Sequence, residues 1–108
     1  LCKLNQFEAG VVVGSGFLAN IALIESMVRK NDILFIDEEY HASGMLASKL
    51  VQGKVVVFKH NDIQDLKVKI SQYTTTNRTI IAIEGVYSMS GDIALKEIEQ
   101  IANIHNAI

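Results

Sequence analysis

The chain contains no proline. Turns and loop ends normally carry several, but their absence excludes no fold class. One cysteine, Cys2, is present. That rules out an internal disulfide and any multi-cysteine zinc site, and a lone small thiol reads as incidental. Charge of one sign is also lacking: ten basic residues stand against twelve acidic ones, a net charge of -2. Nothing there would track a phosphate backbone, so nucleic acid is not an expected partner. No apolar run approaches the roughly 18 residues a membrane span needs, and no signal-peptide pattern appears. Asn77-Arg78-Thr79 fits a glycosylation acceptor, but without a secretory context the match is chance. These absences fit a reducing cytoplasm. Linkers, repeats and low-complexity stretches are missing too.

What is present is a chain of 108 residues, 49% hydrophobic: enough for one compact α/β unit and too little for a two-domain enzyme. Val11-Val12-Val13 reads as a short strand that stops at Gly14-Ser15-Gly16. Phe17 to Arg29 is apolar on nearly every face, the pattern of a buried helix. Ile33 to Ile36 shows no polar alternation, as expected of a parallel strand covered on both faces. A helix from Ser43 to Val51, closed by Gly53 as its cap, leads to a strand at Val55 to Phe58. Asn61 or Asp62 is placed to cap a helix running through Leu66 to Ile70. Thr79 to Ile83 is a further buried strand, and Leu95 to Ile104 an amphipathic helix. Strands alternating with helices of this length imply parallel-sheet βαβ units with right-handed crossovers.

Such sheets bind ligands beyond the carboxyl ends of their strands. The polar segments there are Gly14-Ser15-Gly16, Asp37 to His41, His60-Asn61-Asp62 and Glu84 to Asp92. Gly14 to Ala19 matches G-x-G-x-x-G/A, and Asp37 lies at a strand end about 20 residues on, where a dinucleotide-binding protein keeps its ribose-binding acid. A nicotinamide-dependent oxidoreductase is therefore one reading. The turn by itself says only that a phosphate would be welcome, because N–H groups at a helix start attract any phosphate.

The downstream strings point elsewhere. Ser15-Gly16-Phe17-Leu18-Ala19-Asn20, Asp37 through Ser43 ending in His41-Ala42-Ser43, Phe58-Lys59-His60-Asn61-Asp62 and Glu84 through Asp92 together resemble the α-oxoamine synthases. These are enzymes of the aspartate-aminotransferase-like class that use pyridoxal 5'-phosphate (PLP). Each string is weak alone, but four in order and in register are specific, and they span nearly the whole chain. The resemblance implies a fragment, residues 1–108, of the PLP-binding large domain of a fold-type-I transferase. Its parent would condense an amino acid with an acyl thioester, and would be a homodimer with active sites formed between subunits.

By the same resemblance, Gly16 and Phe17 offer backbone N–H groups to the cofactor phosphate. His41 stacks on the pyridine ring and can take part in proton movement. Ser88 contacts the ring region directly, with Glu84 behind it. His60, Asn61 and Asp62 mark the family without serving the chemistry, since helix capping accounts for them. No metal site is expected. The family's Schiff-base lysine and its pyridine-binding aspartate match nothing here, so the chain alone is expected to be inactive. Two departures stand out: Ser90 occupies a position where the family commonly has an acid, and Ala94 runs into Leu95 where a proline is usual. Together they also allow a non-catalytic remnant domain.

Overall fold

The structure is a computed structural model that describes every residue of the chain except Thr74, Thr76 and Asp92. In chain order it runs α1 (Gly16–Met27), β1 (Ile33–Asp37), α2 (Ala42–Ser48), β2 (Lys54–Phe58), α3 (Ile63–Gln72), β3 (Thr79–Ala82) and α4 (Leu95–His105). The three strands form one parallel sheet in the order β2-β1-β3. This is the α/β architecture of parallel βαβ units that the sequence implies.

β1 is central and all five of its residues are buried. Its side chains alternate between two cores, as the twofold period of a strand requires. Ile33 and Phe35 face one way and meet Val56, Phe58, Leu66, Ile70, Ile98 and Ile101, so α3 and α4 cover that side. Leu34 and Ile36 face the other way and meet Ile24, Val28, Tyr40, Ala47 and Ile80, so α1 and α2 cover the second. Both faces being apolar explains why no alternation is visible in the sequence.

Four expectations need correction. Val11 to Val13 is not a strand: it is irregular, with Val11 and Val12 89% and 95% exposed. β-branched residues extend a chain readily, but a strand also needs a neighbour to pair with, and neither edge strand, β2 or β3, pairs with these residues. α1 is not buried all round. Ile24 is its one buried residue, and Phe17, Leu18 and Leu23 are about half exposed, because α2 and the sheet cover only one side of it. β3 is half-buried rather than buried, and its regular pairing ends at Ala82; on its outer side the backbone of Ile108 bonds Thr79 and Ile81. Gly53 does not cap α2, which ends at Ser48 with Lys49 as its cap. Instead the chain passes so close to Val28, Arg29 and Asp32 at Gly53 that a Cβ would collide with them.

The amino ends of the strands are tied by Asp32, which is 2% exposed. Its carboxylate accepts from the Arg29 N–H at 2.8 Å, the Arg78 N–H at 3.2 Å and the Arg78 guanidinium at 2.6 Å. The bonds join the entry of β1 to the entry of β3, which are 46 residues apart in the chain. Burial alone would raise the Asp32 pKa, but the Arg78 guanidinium and the two N–H groups outweigh it and hold the carboxyl below its ordinary value. Asp62 caps α3 by accepting from the Asp65 N–H at 2.9 Å. Asp65 in turn pairs with Lys69 at 2.6 Å and accepts from the Lys59 N–H, which lowers its pKa as well.

Both carboxyls are depressed by folding. The stability they contribute is full above the ordinary carboxylate value of about 3.9 and is lost as pH falls through the lower folded value. Asp32→Ala should cost roughly 1–3 kcal/mol at neutral pH, the penalty of leaving buried donors unmade, and should flatten the acid limb of a stability–pH curve measured by urea unfolding. At Gly44 an added Cβ would strike the Tyr40 ring and crowd Ile24. Gly44→Ala should therefore lower the unfolding free energy by roughly 1–3 kcal/mol, as overpacking does, with a changed environment in tyrosine near-ultraviolet circular dichroism.

Candidate functional site

Because the strands are parallel, β1, β2 and β3 end on the same edge of the sheet, at Asp37, Phe58 and Ala82. α1 precedes β1 by a five-residue connection and runs back against it, so its first turn lies toward that edge. A direct contact joins them: Asn20 on α1 donates to the Ser43 hydroxyl at 2.9 Å, just past the end of β1. The second, third and fourth segments singled out in the sequence are joined through Asp37, His60 and Ser90, and the first opens the helix that Asn20 ties to Ser43. Asp92, the last residue of the fourth, lies outside the described residues.

At the centre of this edge is the Asp37 carboxylate, fully buried. Oδ1 accepts from the Glu39 N–H at 2.8 Å, which bends the loop that leads to His41. Both oxygens face His60 Nδ1, at 3.0 and 3.1 Å, and Oδ2 also lies 3.4 Å from the Asn61 N–H. Asp37 is thus committed to the protein's own loops. It cannot serve as a ribose-binding acid, and this removes the second half of the dinucleotide pattern.

His60 is nearly buried, with 12% of its side chain exposed. Its ring sits edge-on to the Tyr87 ring with centroids 4.4 Å apart, and its Nε2 lies 2.8 Å from the Ser90 hydroxyl. Asn61, in a left-handed conformation at φ 53°, does not cap α3. Its side-chain oxygen accepts from the Ala94 N–H at 2.8 Å and so anchors the entry to α4. Reading these residues as helix caps is right for Asp62 alone.

His41 precedes α2 and caps it through its ring: Nδ1 accepts from the Ser43 N–H at 3.2 Å and lies 2.8 Å from the Ser43 hydroxyl. Ser43 is fully buried. A relay of Asn20 to Ser43 to His41 follows, with the hydroxyl accepting from the amide and donating to the ring. Since Nδ1 accepts, the proton of the neutral ring is assigned to Nε2. The ring is exposed, so it presents a flat face and an N–H to whatever lies over the edge.

Gly16 and Phe17 open α1. Ser15 caps the helix by accepting from the Leu18 N–H at 3.2 Å, and the first backbone bond of the helix is Ala19 to Ser15. The N–H groups of Gly16 and Phe17 precede any intrahelical acceptor, and no atom lies within 4 Å of where a Cβ on Gly14 or Gly16 would stand. The turn is an open cradle suited to a phosphate.

The loop after β3 carries Glu84 and Ser88. Glu84 is half-buried, and its N–H donates to the Tyr87 phenol at 3.2 Å. Ser88 is exposed in a shallow depression lined by Glu39, Tyr87 and Met89. Burial pushes the Tyr87 phenol well up, and the Asp37 and Glu84 carboxylates push the same way against the Glu84 N–H bond. Burial, then Glu84, also raises Tyr40. Both phenols stay protonated at neutral pH and act only as neutral hydrogen-bonding groups. Among the described residues no cluster of His, Cys, Asp or Glu could hold a metal ion, and no helix is long and apolar enough to cross a membrane.

Sequence reasoning placed Asp37, His60, Tyr87 and Ser90 at the strand ends but missed the bonds that join them, gave His60 no role beyond marking the family, and did not single out Asn20. Their signal was present in the quoted strings, but each residue is joined to partners 23 to 51 positions away, a distance no local pattern reveals.

The chain is similar to the 8-amino-7-oxononanoate synthase of Helicobacter pylori strain J99, 49% identical over 94 residues that cover 87% of this chain and 25% of that protein. Against the enzyme of the same name from Thermosipho melanesiensis the identity is 38% over 109 residues, covering 100% of this chain and 28% of that one. The chain thus spans about a quarter of the length of these curated relatives. Among solved structures, a serine palmitoyltransferase from S. paucimobilis with bound PLP–myriocin aldimine superposes with a TM-score of 0.93 at 29% identity, covering 99% of this chain and 27% of that one. The 8-amino-7-oxononanoate synthase from Francisella tularensis superposes with a TM-score of 0.70 at 31% identity, over 95% and 29% respectively. The family model for aminotransferase class I and II matches residues 3–108. With these likenesses bearing out the α-oxoamine synthase resemblance and the fold-type-I architecture, the chain belongs to the aminotransferase class I and II family.

Proposed function

We propose that residues 1–108 are part of the PLP-binding large domain of an acyltransferase of the 8-amino-7-oxononanoate synthase kind, which condenses an amino acid with an acyl thioester in biotin biosynthesis. The observation that carries this reading is the joining of the later motif segments at one sheet edge, in a chain 49% identical over 94 residues to an enzyme of that name. Bound there, PLP supplies an electron sink for charge developing at the substrate carbon.

The residues of this edge fit such a group. Gly16 and Phe17 would hold the phosphate with main-chain N–H groups, helped by the helix dipole by roughly 0.3–1 kcal/mol. His41 would lie against the pyridine ring, its orientation held by Ser43 and Asn20. Fixed this way, the neutral ring presents Nε2–H as a donor, while its basic nitrogen, Nδ1, is engaged by Ser43. Ser88 would face the ring from the loop after β3, and Glu84 would support that loop. Schiff-base formation and pairing with the pyridine nitrogen would fall to residues outside these 108, so the chain alone would bind cofactor weakly and without a covalent bond. The apolar surface of α1, with Phe17, Leu18 and Leu23 exposed, suits cover by a second subunit of a homodimer, working in the cytoplasm.

The test is a titration of the chain with PLP followed by absorbance, beside His41→Ala and Ser43→Ala variants and an NAD titration. Saturable PLP binding is expected, weakened roughly 2- to 10-fold in His41→Ala, the worth of one aromatic contact. Ser43→Ala should weaken it less and shift the His41 ring nitrogens in ¹⁵N NMR. NAD binding without a response to PLP would overturn the reading.

A further inference from the structure

The loop after β3 is long, and of the residues from 84 to 91 only Tyr87 is fully buried. Tyr87 anchors the middle of the loop against His60, and the exposed residues after it need further contacts to fix where Ser88 stands. Two contacts at the end of this loop are candidates, and both belong to Ser90. Its hydroxyl lies 2.8 Å from His60 Nε2 and 3.2 Å from Glu39 Oε2. Glu39 Oε2 is itself 3.7 Å from His60 Nε2. Behind His60 stands the buried Asp37, which also holds the Glu39 N–H and so fixes the loop that leads to His41. A continuous line of polar contacts therefore runs from the His41 loop through Asp37 and His60 to the Ser88 loop.

We propose that His60 is a positioning residue: held by Asp37 on one side and holding Ser90 on the other, it fixes the Ser88 loop relative to the His41 loop. The part concerning Ser88 and cofactor rests on the function proposed above. Its geometry assigns the protons. Nδ1 faces both oxygens of a buried carboxylate, so in the neutral ring the hydrogen is on Nδ1, and Nε2 accepts from the Ser90 hydroxyl. Second contacts of this kind orient groups that meet a ligand, without touching it themselves.

The arrangement Asp37–His60–Ser90 has the order of a hydrolytic triad, but two features argue against a nucleophilic Ser90. The Glu39 carboxylate competes for its proton. The Gly91 N–H, which follows it in the chain, is spent on the Tyr87 carbonyl at 2.9 Å and is not free to stabilise an oxyanion.

The experiment compares Ser90→Ala and Ser90→Thr with the unaltered chain by three measurements: urea unfolding, ¹⁵N NMR of His60 with amide exchange of Gly91, and affinity for PLP. Ser90 is exposed, so neither variant should shift the unfolding midpoint. Ser90→Ala should move the Nε2 resonance while leaving the Nδ1 proton in place, speed amide exchange at Gly91, whose N–H bonds the Tyr87 carbonyl, at least 5-fold, and weaken PLP binding about 3- to 10-fold. Ser90→Thr, which keeps the hydroxyl, should restore all three. Unchanged exchange in Ser90→Ala, or failure of Ser90→Thr to restore it, overturns the proposal. Should the unaltered chain bind no PLP, the proposed function falls, and amide exchange alone decides the relay. Normal PLP binding by Ser90→Ala, with the loop loosened, would overturn the link from loop to cofactor.

Discussion

A single buried carboxylate organises the edge of this protein. Asp37 ends the central strand, at the point where the chain leaves the sheet, and burial there would be unfavourable for a carboxylate without donors. The donors come from the Glu39 N–H, the His60 ring and, at a longer distance, the Asn61 N–H. Each comes from a loop that must bend toward Asp37 to supply it. The cost of leaving that group unsatisfied therefore becomes a constraint on loop shape. Among the described residues, no buried side-chain nitrogen or oxygen lacks a partner, which is what a rigid polar network requires.

The sheet was legible because its physics is local. Ile33 to Ile36 reads as a doubly covered strand from its unbroken apolar run, and the two cores on either side of it agree; Val55 to Phe58 reads as a strand too, but only Val56 and Phe58 are buried. Where the outcome depends on a neighbour, sequence failed. Val11 to Val13 has the composition of a strand but no partner at a free edge, and α1 has the composition of a buried helix but cover on one side only. Gly53 has the spacing of a helix cap, yet it is a glycine because Val28, Arg29 and Asp32 approach it. Local pattern reports what a segment could do; whether it does so is decided by what stands opposite.

The candidate site shows the same division. His41, Gly16 and Phe17 stand out by motif, and each is exposed. How His41 is held, by Asn20 through Ser43, joins residues 23 apart and could not be read from spacing. His60 is the sharper case. A histidine followed by two good capping residues has a sufficient local explanation, and that explanation concealed Asp37, 23 residues earlier. Ser90, which departs from the family pattern, turns out to be the residue this histidine holds.

The two relays differ in what they ask of the surroundings. Asn20–Ser43–His41 links α1 to α2, and Asp37–His60–Ser90 links the ends of β1 and β2 to the loop after β3; both are closed within these 108 residues. Neither depends on a bound group for its hydrogen bonds. The edge is therefore shaped before any ligand arrives, and a ligand placed there would not have to spend its binding energy on ordering the loops. The outer side of α1 is in the opposite condition. Its apolar residues Phe17, Leu18 and Leu23 are about half exposed, and their side chains enter no polar network. Orientation of the loops is thus built in locally, by polar bonds, while the packing of α1 rests on one apolar face.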